Sequence, residues 1–256
     1  TGGVGAISDY LNRQGWWTEL LSALEMLLTA SRKAEDRRDE AWCLNSLGHT
    51  CWRRRELDQA LHWYEQVRPI DRELENRQGE GVSLNNMAAI YRQQGRYDEA
   101  LEQYEQSLSI KREIGDREGE GTTLNNIGSL YWAQEKYEEA LPYYEQCLSI
   151  MQELGNKIGE GITLNNIATI YDAQGKPSKA MEYHQQALAI RRELGDRAGE
   201  AESCWNIGLT YEDMGDLAKA EEYITLAVEI AEDMGHPSLE KWRDELEWVR
   251  AERRGA

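Results

Sequence analysis

Paired asparagines recur at a fixed interval in "EGVSLNNMAAIY" at 80–91, "EGTTLNNIGSLY" at 120–131 and "EGITLNNIATIY" at 160–171. An asparagine amide carries donors and an acceptor together, the same pair that a peptide bond presents, so its chemistry is hydrogen bonding to an extended backbone without sequence preference. Placed in a helix it costs about 0.7 kcal/mol against alanine, because the short amide competes for nearby backbone groups. Residues for covalent or metal chemistry are not arranged for it. His49, His62, His184 and His236 show no metal-ligand spacing, and no serine or cysteine has an identifiable base. The "GEG" at 79–81, 119–121 and 159–161 lacks the Gly-x-x-x-x-Gly-Lys pattern and a preceding strand, and it puts Glu120 where a phosphate would sit. Its glycine fits close passage between elements, and its glutamate suits a helix N-terminus. The expectation is a protein that is not an enzyme and needs no cofactor or metal.

The elements that must position these amides follow from the wider chain. With 29 basic and 47 acidic residues the net charge is −18, which repels nucleic acid and anionic membranes and predicts neither as a partner. The longest apolar stretch, "LLSALEMLLTA", is interrupted by Glu25 and is too short to span a bilayer. Cys43, Cys51, Cys147 and Cys204 form no Cys-x-x-Cys pair, which predicts reduced, partly buried thiols and a cytoplasmic location.

Adding 40 to a position keeps returning the same residue type: Ala60, Ala100, Ala140, Ala180 and Ala220; Tyr91, Tyr131, Tyr171 and Tyr211; Gly48, Ala88, Gly128, Ala168 and Gly208. A register without insertions means that each unit stacks on its neighbour in one fixed geometry. Within a unit, Leu124, Ile127, Gly128 and Tyr131 mark one amphipathic helix, and Ala140, Leu141, Tyr144, Leu148 and Met151 a second. A polar turn such as "QGRYD" at 94–98 joins them, and Gly115-Asp116, Gly155-Asn156 and Gly195-Asp196 set a left-handed glycine against an N-cap between units. Each unit is therefore expected to be a helical hairpin. Small residues at the Gly128 and Ala140 positions let its helices approach, with the Tyr131 and Tyr144 rings around the contact.

These residues resemble the tetratricopeptide repeat family. The family's aliphatic-Gly/Ala pair, then Tyr, Ala and an aromatic are met by Ile127-Gly128, Tyr131, Ala140 and Tyr144. The resemblance covers almost the whole chain. The period of 40, "LNNI" and the "GDR" linkers are similar to a longer-helix subgroup containing kinesin light chains, Leu-Gly-Asn-repeat adaptors and sensor arrays of bacterial signalling NTPases. Departures are Cys51 for the first-helix tyrosine, and His184 and Ile224 for the second-helix aromatic. The resemblance implies an all-α fold, a right-handed superhelix or solenoid of helical hairpins with a C-terminal capping helix. Residues 1–236 are read as about six repeats with units starting near 1, 41, 81, 121, 161 and 201, and 237–256 as the capping helix and tail. At the N-terminal end, Val4, Ile7, Ser8 and Leu11 sit at core positions of a first helix whose leading turns are missing, which predicts a chain cut from something longer. At the other end Leu239, Trp242, Leu246 and Val249 form the stripe of a solvating cap.

At about 100° per residue, Asn126 points roughly 150° and Asn125 roughly 110° from the inward face of their own helix. The resemblance implies that the first helices line a concave wall, along which Asn86, Asn126, Asn166 and Asn206 form a ladder, as in adaptors of the family that grip a peptide backbone with such an amide. Asn45, Asn85, Asn125 and Asn165 lie nearer the boundary between repeats. An asparagine here could instead bond an adjacent helix or sit in water. Other groove-facing positions are Trp42, His49, Trp52, Arg53, Arg92, Gln93, Ser129, Trp132, Asp172, Glu202, Trp205, Glu212 and Asp213, basic early and acidic late. The expected function is a scaffold that binds an extended peptide or protein segment. The alternative is a sensor or autoinhibitory array from a larger signalling NTPase or protease.

Overall fold

The computed structural model describes residues 16–255, which form twelve α-helices and no strand. In chain order these are α1 (Trp17–Lys33), α2 (Arg37–Arg53), α3 (Leu57–Glu73), α4 (Arg77–Gln93), α5 (Tyr97–Glu113), α6 (Arg117–Ala133), α7 (Tyr137–Glu153), α8 (Lys157–Ala173), α9 (Pro177–Leu194), α10 (Arg197–Asp213), α11 (Leu217–Met234) and α12 (Leu239–Gly255). Val4, Ile7, Ser8 and Leu11, read as the start of a truncated helix, lie outside the described residues.

The period of 40 has a simple origin. Two 17-residue helices and two three-residue connectors fill it, as in α4, residues 94–96, α5 and residues 114–116. Every connector turns through one residue with positive φ, at 35, 55, 75 and each twentieth position up to 235. At Gly115 (φ 70°) the geometry closes a Schellman turn: Gly115 N–H donates to the Arg112 carbonyl and Asp116 N–H to that of Lys111. Asp116 is at once the N-cap of α6, its carboxylate accepting from Gly119 N–H at 2.9 Å. No atom lies within 4 Å of where a Gly115 Cβ would stand, so the glycine is needed for its φ and not for room. Four connectors hold larger residues in the same conformation, Glu35, Arg55, Glu75 and Glu135.

The chain divides into two compact units, residues 1–126 and 127–256. In the first, Leu20, Leu24 and Leu28 of α1 pack with Leu44 and Leu47 of α2 and Val67 and Ile70 of α3. Each such buried side chain contributes about 1.5–3 kcal/mol. Within a hairpin the small residue of the first helix seats the aromatic of the second: a Cβ on Gly48 would lie 2.8 Å from the Tyr64 ring. In the second unit Gly128 faces Tyr144 in the same way, and Ile224 takes the aromatic's place against Gly208. Tyr131 stacks on Tyr143, Tyr171 on Tyr183 and Tyr211 on Tyr223, with centroids 5.5, 5.5 and 5.7 Å apart. The last helix, α12, lays Trp242, Leu246 and Val249 onto the cluster built by α10 and α11.

A feature with no counterpart in the sequence reading joins consecutive hairpins. Glu40, Glu80 and Glu120 are buried, and each accepts from an arginine eight residues earlier, Arg32, Arg72 or Arg112, at 2.9, 2.6 and 2.8 Å. Each also pairs with Arg37, Arg77 or Arg117, three residues earlier. Thus the "GEG" glutamates Glu80 and Glu120, and Glu40 at the same register position, lock the end of one second helix to the start of the next first helix.

Candidate functional site

The amides of neighbouring first helices bond to one another. Asn126 Nδ2 on α6 donates to Asn85 Oδ1 on α4 at 3.0 Å, and Asn206 Nδ2 on α10 donates to Asn165 Oδ1 on α8 at 2.9 Å. Asn125 and Asn166 are engaged as well. One such bond contributes about 0.5–1.5 kcal/mol net, the same size as the helical cost of an asparagine, so packing alone offsets that cost. It leaves capacity unused: Asn126 and Asn206 are only half-buried, and a bond through one N–H leaves the second N–H and the carbonyl oxygen.

In the first unit the pattern breaks. The Asn86 amide lies beside the Tyr64 hydroxyl of the preceding helix and partly offsets the burial that raises it, and Asn45 Oδ1 is buried without a partner. In the second unit Trp205 holds the register position of Asn85, Asn125 and Asn165. Its placement as a groove residue is corrected: it is 8% exposed and stacks on Trp242, centroids 5.1 Å apart. It does leave its own hairpin's core, but α12 lies there in place of a further first helix and indole packs on indole.

The other positions form a second series. Trp52 and Trp132 are 37% and 46% exposed, and Trp42 is comparable. Arg53 is exposed with its guanidinium 5.3 Å from the Trp17 ring centroid, and His49 lies against Trp52 at 5.9 Å. Arg92 is half-buried beside the Tyr104 hydroxyl, with its Nε buried and unpartnered. Asp172, at the register position of Arg92 two repeats later, is tied by His184 Nε2 at 3.0 Å and by the Thr210 hydroxyl at 3.2 Å. Hence the histidine that departs from the family pattern is matched by a carboxylate within reach. Glu212 is half-buried with Oε2 unpartnered, and burial, then Glu245 and Asp213, push its carboxyl above the ordinary range.

The four cysteines are free and buried, and burial pushes the Cys43 and Cys204 thiols up to about 11, far from a reactive thiolate at neutral pH. Among the described residues no helix is long and apolar enough to cross a membrane. The sequence reading did not single out Asp71, a buried carboxylate beside Asn76, although its register with Lys111, Met151 and Arg191 marks a position of changing charge.

With this geometry in place, comparison with known proteins identifies the class. The tetratricopeptide repeat family matches residues 5–73, 79–153, 119–193 and 160–233, and the chain belongs to that family. A comparison with curated proteins found no match. Among solved structures, BtubC (BKLC) from P. vanneervenii is similar at 24% identity over 86% of this chain and 92% of that one, TM-score 0.76. A signal transduction ATPase with numerous domains, with a tetratricopeptide repeat sensor, from Pyrococcus horikoshii is similar at 20% identity and TM-score 0.80. It covers 97% of this chain, which spans 38% of that protein. A Rap protein complexed with competence and sporulation factor is similar at 15% identity over 96% of this chain and 73% of that one, TM-score 0.68.

Proposed function

We propose that this chain is a non-catalytic binding module that takes an extended peptide or protein segment along its first helices, with Asn86, Asn126, Asn166 and Asn206 holding the backbone. The observation that carries this reading is the pair of half-buried amides, Asn126 in the first unit and Asn206 in the second, each of which bonds a neighbouring asparagine through one N–H and keeps a second N–H and its carbonyl oxygen for a ligand. Exposed Trp42, Trp52 and Trp132 supply the large anchors that binding surfaces favour. Arg53 and Arg92 early in the chain, and Asp172 and Glu212 late, add charges that select unlike ends in the bound segment. The net charge of −18 argues against nucleic acid as the partner, and four free thiols fit a reducing, cytoplasmic setting. The solved Rap complex with a bound factor supports a binding role on this kind of fold.

A second reading has its own support: the similarity to an ATPase with a tetratricopeptide repeat sensor, of which this chain spans a minor part, fits a sensor or autoinhibitory array within a larger signalling protein. A peptide-display selection against the chain tests the first reading. A consensus segment that binds in titration is expected; failure to enrich any sequence would favour an intramolecular partner.

A further inference from the structure

In the first unit, three clefts lie at equivalent positions between consecutive hairpins, with Ser31, Asp71 and Lys111 as their floor residues at one register position. All three side chains are buried. Two of the floors are satisfied from within: Ser31 Oγ donates to the Leu28 carbonyl at 2.9 Å, and Lys111 Nζ pairs with Asp116 at 2.8 Å. Asp71 is not. It is 2% exposed, its Oδ1 accepts from Asn76 Nδ2 at 2.7 Å, and its Oδ2 is buried with no partner in the protein.

The cleft above Asp71 has a volume of about 460 Å³. Its walls include Trp42, Val67 and Leu74, and Asn45 contributes a second buried, unpartnered acceptor oxygen. Gly79 lines it too, and a Cβ there would stand 2.6 Å from Asp71 Oδ1, so a side chain at this position would crowd the carboxylate. Two orphan acceptors below an indole and aliphatic walls require a ligand that brings N–H donors, positive charge and an apolar stem. From this arrangement we infer that the cleft over Asp71 holds the ammonium group of a lysine side chain, its methylenes against Trp42 and Val67 and its N–H groups on Asp71 Oδ2 and Asn45 Oδ1. Burial raises the Asp71 carboxyl, against the Asn76 hydrogen bond and with help from Glu80; a bound cation supplies the missing counter-charge. The next cleft shows the closed form of the same device, since Lys111 itself occupies the floor and Asp116 replaces the neutral Asn76. Among the described residues Arg38, exposed at the rim, is the one cationic side chain lining the Asp71 cleft, and it works against a second cation there.

The lysine source rests on the peptide-binding reading; the ammonium chemistry does not, and the test separates them. The whole chain, labelled on its indole N–H groups, is titrated with n-butylammonium, with n-butanol, and with a blocked lysine and its Nε-acetylated form. The Trp42 signal, assigned by loss in Trp42→Phe, should shift and saturate with n-butylammonium and blocked lysine, and stay fixed with butanol and the acetylated form. Asp71→Asn should weaken amine binding about tenfold or more. The pair Asp71→Lys with Asn76→Asp reproduces residues that the next repeat already carries, and should fold and abolish binding. Arg38→Ala should bind the amine at least as well as the parent. Equal response to amine and alcohol, full binding by folded Asp71→Asn, or loss of binding on Arg38→Ala would each overturn the inference. A chain that binds display-selected segments but no amine refutes this site alone. A chain that binds amine at Asp71 but no segment refutes the peptide reading and leaves the cleft a free-amine site.

Discussion

Trp205 and Trp242 stack face to face, 10° from parallel, at the register position where three earlier repeats carry the first asparagine of a pair. Between repeats the layer is joined by amide hydrogen bonds; against the final helix it is joined by rings. The exchange is physically sensible, because a terminal helix with no following amide would leave an asparagine's polar atoms half-buried and unpaired, whereas an indole needs only area.

Truncating this contact should therefore be costly. Trp242→Ala removes a side chain that is 5% exposed and should destabilise the C-terminal hairpin by about 3–5 kcal/mol. Trp205→Ala should cost less once Trp242 is already gone, with a coupling of about 0.5–1.5 kcal/mol in a double-mutant cycle. Hydrogen exchange in α11 and α12 reads both; strictly additive losses would mean that the rings do not act as a pair.

The connectors give a prediction of opposite sign. Glu75 and Glu135 hold φ values of 52° and 59°, where glycine stands in most equivalent turns. Glu75→Gly and Glu135→Gly should leave stability equal or raise it by up to about 1 kcal/mol, relief of the left-handed strain outweighing the entropy of a freer unfolded chain. Gly95→Ala, at φ 73°, should lower it by about 1 kcal/mol. Urea midpoints that rank these variants the other way would contradict the account of the 20-residue spacing.

Acid titration separates two kinds of buried carboxylate. Burial would raise Glu40, Glu80 and Glu120, but their paired arginines outweigh it and hold all three below the ordinary range. Their stabilisation is complete above the unfolded glutamate value, about 4.3, and is lost as pH falls through the lower folded values. Asp71 and Glu212 are raised, so each costs stability at neutral pH, and that cost disappears as pH falls through the raised value. Glu80→Gln should lower stability at neutral pH by about 1–3 kcal/mol and flatten the acid limb, whereas Asp71→Asn should be neutral or stabilising there. Circular dichroism against pH tests both; equal effects of the two substitutions would refute the distinction.

Much of the fold was legible because the repeat supplies many copies of each position. Ala140, Gly128 and Tyr144 could be placed from spacing alone, and so could the left-handed glycines. Other features were hidden for physical reasons. A helical wheel gives the direction of Asn126 and allows a bond to an adjacent helix, but it does not name the partner, Asn85 on the preceding repeat. Trp205 points out of its own hairpin as expected, yet another layer lies there. Glu35, Arg55, Glu75 and Glu135 look like ordinary helix residues and betray their conformation only through the period. Asp71 is an acid in a position held elsewhere by Ser31, Lys111, Met151 and Arg191, and only packing shows that its second oxygen is unanswered.

The central claim, that the amide row holds a peptide backbone, is tested most directly by calorimetric titration of a display-selected segment into the parent chain and into Asn126→Ala and Asn206→Ala. Each substitution gains about 0.7 kcal/mol of helix propensity and loses one inter-helix hydrogen bond of similar worth, so the melting temperature should change little. Affinity should fall by about 1–3 kcal/mol, or roughly 5- to 150-fold, for each substitution. An unchanged affinity in chains that melt like the parent would show that the asparagines only bind one another, and that no ligand backbone lies along them.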